Sequence, residues 1–331
     1  MLHKNIRRDH RGRTAFLYSS QASGSFNHRL HLILRDFARD LADRIGDNLA
    51  AIVIGGSYGR GLGRCVQVRN EPGSGVWSIG EAPRDDIDIV LILEQTMSIS
   101  EPILNAVFRR YAEIMCTPID LLAIVRRDKL ESVPVTASWL ELLWAHRVIY
   151  GPEEILDQVR ARIDGSPNAD EALAFHERNG RDIVGSIRLV CGVDKEKQNS
   201  DRLDLRRLKS IRYLVDSTLI AASAYRPDPF ARIDALNAVL QSETWFENKL
   251  LFRYKLPHMY AQTTEAQCRD PQDFASWKEI ITLWNELTGF VESKCQSKGQ
   301  FRELSEILED AEHFAKIGPD ESWLSKSLRY L

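Results

Sequence analysis

From residue 86 to residue 93 the chain reads Asp-Ile-Asp-Ile-Val-Leu-Ile-Leu. A run so rich in apolar and β-branched residues is a buried strand, and it is led by two carboxylates spaced two apart. Side chains on a strand alternate between faces. Asp86 and Asp88 therefore share one face, and Ile87 and Ile89 point into the core from the other. Adjacent carboxylates repel each other and are costly to desolvate unless a cation joins them. Oxygen ligands of this kind suit Mg²⁺, which is commonly shared with substrate phosphates.

Two further strands frame this one. The apolar run Leu-Ala-Ala-Ile-Val-Ile at residues 49–54 stops at Gly55-Gly56, and Ser57 follows. Glycines let a backbone approach a ligand without a Cβ in the way. If Ser57 starts a short helix, its unpaired N–H groups favour a phosphate. Asp120 opens a third strand over 119–125. As a third carboxylate at the same pocket it completes a set able to hold two metals for in-line phosphoryl transfer. Aspartate before a buried strand is also a common turn residue. Asp85 faces away from Asp86 on an extended chain and reads as a cap or loop residue.

With 331 residues, the chain is long enough for two domains. Apolar residues make up 44% and charged residues 27%, the mixture of a globular protein, which excludes disordered and fibrous classes. Lys and Arg number 44 against 47 Asp and Glu, a net charge of −3, so there is no global basic excess for coating nucleic acid. Residues 1–26 read as a basic arm carrying Lys4, Arg7, Arg8, Arg11 and Arg13 against Asp9. An amphipathic helix is expected over 27–45, with Leu30, Leu34, Phe37, Leu41 and Ile45 on one stripe. Residues 65–69 and 76–79 should form a hairpin around the turn-rich stretch 70–75. A helix follows over 101–116.

After Pro134 helical periodicity takes over, at about 138–146, 153–163, 170–190, 203–224, 230–240, 244–261, 271–294 and 301–317. The division is thus 27–150 for an α/β domain, with hairpin insert 64–80, and 151–331 for a helical domain, the border lying at Tyr150-Gly151-Pro152. The charged start leads to no apolar run, and no stretch could span a bilayer. Five scattered cysteines without a CxxC pair fit reduced thiols, so a cytoplasmic protein is expected.

Gly56-Ser57 with Arg60-Gly61, then Asp86-Ile-Asp88-Ile, then Asp120, resembles the DNA polymerase β-like nucleotidyltransferase superfamily over about residues 30–125. The layout is similar to the bacterial aminoglycoside and minimal nucleotidyltransferases. The resemblance implies an α+β fold: a small mixed sheet with flanking helices, followed by an all-helical C-terminal domain. It implies that Gly56 and Ser57 contact a nucleoside triphosphate, most simply ATP, and that Arg60 braces the loop or touches phosphate. By the same resemblance Asp86 and Asp88 bind Mg²⁺ or Mn²⁺, and Asp120 binds metal or helps deprotonate the acceptor. The nucleotide is expected between the two domains. Lys209, on a helical face with Arg202, Arg206 and Tyr213, is the residue expected to reach its triphosphate; a solvated basic face neutralised by Asp204 and Asp216 is the other reading.

The implied reaction moves NMP to a hydroxyl of a small molecule or a protein and releases pyrophosphate. Addition to RNA ends fits less well, because no strand-binding groove is evident. The alternative is a non-catalytic nucleotide-binding regulator or antitoxin-like interaction protein on the same fold. One departure is the gap of 28 residues between Ser57 and Asp86, longer than usual in the family. Gly59-x-Gly61-x-Gly63 is a weak dinucleotide signal, since a strand and not a helix should follow it. His146, His176, His258 and His313 show no metal spacing. Trp277 and Trp284 read as helix-packing residues.

Overall fold

A computed structural model of the chain describes residues 17–68, 80–95, 100–162, 165–190, 200–265 and 277–295. It divides into two compact units, Met1–Pro134 with Ser138–Asp164, and Val135–Ala137 with Gly165–Leu331.

The first unit is built on a four-stranded sheet of β1 (Leu49–Ile54), β4 (Ile87–Leu93), β5 (Ile119–Arg126) and β6 (Arg147–Tyr150), in the order β5-β4-β1-β6. A separate two-stranded ribbon pairs β2 (Cys65–Val68) with β3 (Gly80–Pro83). β1 runs antiparallel to both neighbours, while β4 and β5 are parallel, joined through helix α3 (Glu101–Met115). This is the mixed α+β sheet with flanking helices that the sequence led us to expect.

Every residue of β1 is buried, because the sheet carries a core on each face. Ile52 and Ile54, with Ile87, Ile89, Leu91 and Leu93, pack under α1 (Gly24–Ile45) and α3. Ala50, Val53, Val90 and Ile92 pack on the other side against Leu142 and Leu143 of α4 (Ala137–Trp144) and against Leu156 and Val159, the last in α5 (Asp157–Arg162). Burying a side chain the size of Leu30, Leu34 or Phe37 stabilises the fold by about 1.5–3 kcal/mol.

Several expectations are corrected. Helix α1 starts three residues early, at Gly24, where the Ser23 hydroxyl accepts from the Phe26 N–H. Residues 17–26, expected within the basic arm, belong to the fold: Tyr18, Ser19 and Phe26 are buried. The Asn27 side chain accepts from the Tyr18 and Ser19 N–H groups at 2.7 and 2.9 Å, tying this segment to α1. The second arm of the hairpin is 80–83; residues 76–79 lie outside the described residues. The border at residues 150–152 falls inside the first unit, because Ile155, Leu156 and Val159 complete its second core.

Every element described in the second unit from residue 165 onward is helical: α6 (Ala169–Val190), α7 (Ser200–Ala221), α8 (Ala231–Ser242), a 3₁₀ turn at Thr244–Phe246, a π-helical turn at Leu251–Lys255, α9 (Leu256–Glu265) and α10 (Trp277–Lys294). The single helix expected over 244–261 is therefore broken. Pro257 has no N–H for the Arg253 carbonyl one turn earlier, and the chain widens into a π turn just before it. Helices α6, α7 and α10 pack through Ile183, Ile211, Leu214, Val215 and Trp284. The expected helix over 301–317 lies outside the described residues.

Candidate metal centre

The parallel pairing of β4 with β5 sets Asp88 opposite Asp120. Asp86 precedes the strand by one residue and has the same parity as Asp88. Asp86, Asp88 and Asp120 each offer a carboxylate oxygen, and these oxygens lie within 4.8 Å of one another. Asp86 and Asp88 are half-buried and Asp120 is exposed. Ile87 and Ile89, which alternate with the acids, are fully buried on the opposite face. Like charges this close repel by about 3–4 kcal/mol per pair at an effective dielectric near 20. A divalent cation ligated by oxygen removes that repulsion, so the donor set fits Mg²⁺ or Mn²⁺.

Residues 55–59 close over this cluster. α2 (Gly56–Gly59) starts where β1 ends, and the Gly55 N–H donates to the Asp88 carbonyl at 2.9 Å. Gly56 has φ +56°, and a Cβ placed there would stand 1.7 Å from Asp88 Oδ2. Only glycine satisfies both the left-handed backbone and the close approach of the carboxylate. Ser57 follows within the same helical turn, half-buried.

The glycines after Ser57 serve packing. A Cβ on Gly59 would meet the Ile54 carbonyl at 2.5 Å, and one on Gly63 would meet the Tyr58 ring at 2.1 Å. Tyr58 is buried beneath the turn. Its hydroxyl donates to the Arg64 carbonyl at 2.6 Å and accepts from the Arg84 N–H at 3.2 Å. Burial, reinforced by nearby Asp85, raises the phenol well above its ordinary range, so it keeps its proton. The loop is also pinned to residues 17–20: the Gly63 N–H donates to the Tyr18 carbonyl and the Ser20 N–H to the Gly61 carbonyl. The strand β2 that follows leaves no place for a dinucleotide-binding helix.

Asp85 has the loop role expected of it. Its carboxylate accepts from the Arg64 backbone N–H at 2.9 Å and forms an ion pair with the Arg64 guanidinium. The Thr117 hydroxyl donates to the Asp85 carbonyl, and the Ile87 N–H to the Pro118 carbonyl. These bonds hold the first residues of β4 and β5 side by side, and so hold the acids together. Arg64 and Thr117 were not singled out in the sequence; neither has a spacing signal, because both act on partners set by the fold.

Arg60, which follows the turn, forms an ion pair with Glu141 at 2.6 Å. Glu141 has no sequence signal either, being 81 residues away. Lys209 is exposed on α7 in the second unit, one turn before Tyr213. Asp216, expected to neutralise that basic face, has a partner of its own. It is buried and paired with Arg232 at 2.9 Å.

His176 is a core residue. Its ring stacks on Trp284 at 4.8 Å between centroids, and its Nε2 bonds the Thr288 hydroxyl at 2.8 Å. Burial lowers its pKa to about 3. Trp284 is fully buried with its indole N–H on the His176 carbonyl, a packing residue as expected. No helix among the described residues is long and apolar enough to cross a membrane. Compared with known proteins, the chain matches no family model and no curated protein.

Proposed function

We propose that the chain is a divalent-metal-dependent nucleotidyltransferase that moves NMP from an NTP, most simply ATP, to an acceptor hydroxyl. The observation that carries this reading is the convergence of Asp86, Asp88 and Asp120 at a glycine turn that only Gly56 fits. The parallel β4-α3-β5 unit, with β1 antiparallel beside it, supports the nucleotidyltransferase-type arrangement that the sequence resembles.

In this reading Asp86, Asp88 and Asp120 hold Mg²⁺ or Mn²⁺. A cation held there would neutralise phosphate charge and stabilise the charge that develops on the transferring group. Gly56 and Ser57 present the turn to the β and γ phosphates, while Arg60, through Glu141, keeps that turn in place. Asp120, the most exposed of the three acids, orients the acceptor hydroxyl and takes its proton. The acceptor oxygen forms a bond to the α phosphorus. The bond from that phosphorus to the bridging oxygen breaks, and pyrophosphate leaves.

The test is incubation of the full chain with each NTP labelled at the α phosphate, with Mg²⁺ and a cell extract as acceptor source. Label should pass from one NTP to an acceptor, with pyrophosphate released, and both should vanish with Asp88→Asn. Equal labelling by the parent and the variant contradicts the proposal.

A further inference from the structure

One residue of β5 has no counterpart in β4. Asp88 pairs with Asp120 and Ile89 with Leu121, but the next pair is Val90 with Ala123. Leu122 is the extra residue of a β-bulge. Bulges are rare between parallel strands, and they are over-represented at sheet edges and beside active sites, where they re-aim a side chain. This one stands on the edge strand, two residues beyond Asp120.

The bulge decides which side chain enters the core. In an unbroken ladder Leu122 would stand opposite Val90, a residue of the second core. Ala123 takes that place instead and packs there with Val125. Leu122 is left 52% exposed. Its side chain lies on the face that carries the acids. A Cβ on Gly55 would stand 3.7 Å from Leu122 Cδ1, 2.9 Å from Leu142 Cδ1 and 3.9 Å from the Asp88 Cβ. The bare backbone of Gly55 thus lets leucine methyl groups from β5 and α4 approach one point at the foot of Asp88. Leu142 is buried and gives that point a fixed base. Gly55, Asp88, Leu122 and Leu142 all belong to the first unit.

We propose that Leu122, backed by Leu142, is an apolar wall of the acceptor site, and that the acceptor is an alcohol whose hydroxyl is carried on an apolar skeleton. The proposal rests on the role given to Asp120, two positions away on the same strand, as the group that takes the acceptor's proton. A polyhydroxylated acceptor would give up hydrogen bonds to water against two leucine side chains and gain none there. An alkyl or aryl skeleton instead removes its own apolar surface, and that of Leu122, from water.

The test compares cyclohexanol with inositol, the same carbon ring carrying one hydroxyl or many. Each is titrated against the full chain in EDTA, without nucleotide, and followed by saturation-transfer NMR. The parent should bind cyclohexanol about tenfold more tightly than inositol. Leu122→Asn should weaken cyclohexanol by about tenfold, the effect of losing one apolar side-chain contact, while melting as the parent does. Leu121→Asn, on the other face of β5, should bind as the parent does. Equal binding of the two rings by the parent overturns the proposal, and so does unchanged cyclohexanol binding by Leu122→Asn. In the labelled-NTP assay Leu122→Asn should raise the KM for the acceptor and leave that for the NTP. A rise confined to the NTP makes Leu122 a wall for the nucleobase and overturns the proposal as well. A parent that transfers no label contradicts the proposed reaction, whereas the titration in EDTA still decides the apolar wall.

Discussion

A Cβ on Gly56 would stand 1.7 Å from Oδ2 of Asp88, so the turn after β1 and the acid strand beside it fit together only with glycine at that position. The turn and the acid are 32 positions apart in sequence, and the antiparallel pairing of Ile54 with Ile89 brings them together.

Gly56→Ala should therefore displace the Asp88 carboxylate. The left-handed backbone at φ +56° adds about 1–2 kcal/mol of strain. We expect a lower melting temperature and divalent-metal affinity reduced at least tenfold in the folded variant. Unchanged affinity, measured by titrating Mn²⁺ into both proteins, contradicts the fit.

Asp85→Ala removes the partner of Arg64, and both side chains are largely buried. Breaking such a pair costs about 3–5 kcal/mol. It also unties the ribbon β2-β3 from the first residues of β4, so metal affinity should fall along with stability. Denaturant unfolding and Mn²⁺ titration read the two effects separately.

The buried pair of Asp216 with Arg232 in the second unit predicts a loss confined to stability. Arg232 also bonds the Tyr225 hydroxyl and the Arg226 carbonyl, so Asp216→Asn leaves a buried guanidinium short of its counter-charge. We expect destabilisation of about 3 kcal/mol, with Mn²⁺ affinity in the folded variant unchanged. A variant as stable as the parent contradicts the role given to the pair.

Buried His176 sets a pH dependence. With its folded pKa lowered to about 3 and an unfolded value near 6.5, the unfolded chain binds the extra proton between these limits. Its contribution to stability is thus greatest above pH 6.5 and is lost as pH falls toward 3, by about 1.4 kcal/mol per pH unit within the window. Urea unfolding of the parent and of His176→Gln at several pH values tests this. The variant should show the shallower dependence; parallel curves contradict it.

What could be read from the sequence was what local periodicity determines. The alternation of Asp86-Ile87-Asp88-Ile89 placed two acids on one face and two isoleucines in the core. Leu30, Leu34, Phe37 and Leu41 placed the buried stripe of α1. What escaped depends on partners distant in sequence. β6 was missed because Arg147-Val-Ile-Tyr150 is four residues long, follows α4 without a turn residue, and becomes a strand only through pairing with β1. The strand at 80–83 was not read because Gly80 and Pro83 are poor strand formers, held there by Cys65–Val68. Tyr18 and Ser19 fell within the expected basic arm, since nothing in residues 1–26 announces that Asn27 will accept their N–H groups.

The central claim is that Asp86, Asp88 and Asp120 act together on one divalent cation. Titration of Mn²⁺ into the full chain in the presence of ATP, followed by the loss of the free-ion paramagnetic resonance signal, tests it most directly. The parent should bind Mn²⁺, and Asp88→Asn should bind it at least tenfold more weakly while melting at nearly the same temperature. Equal Mn²⁺ affinity in the two folded proteins would contradict the metal centre, and the proposed reaction with it.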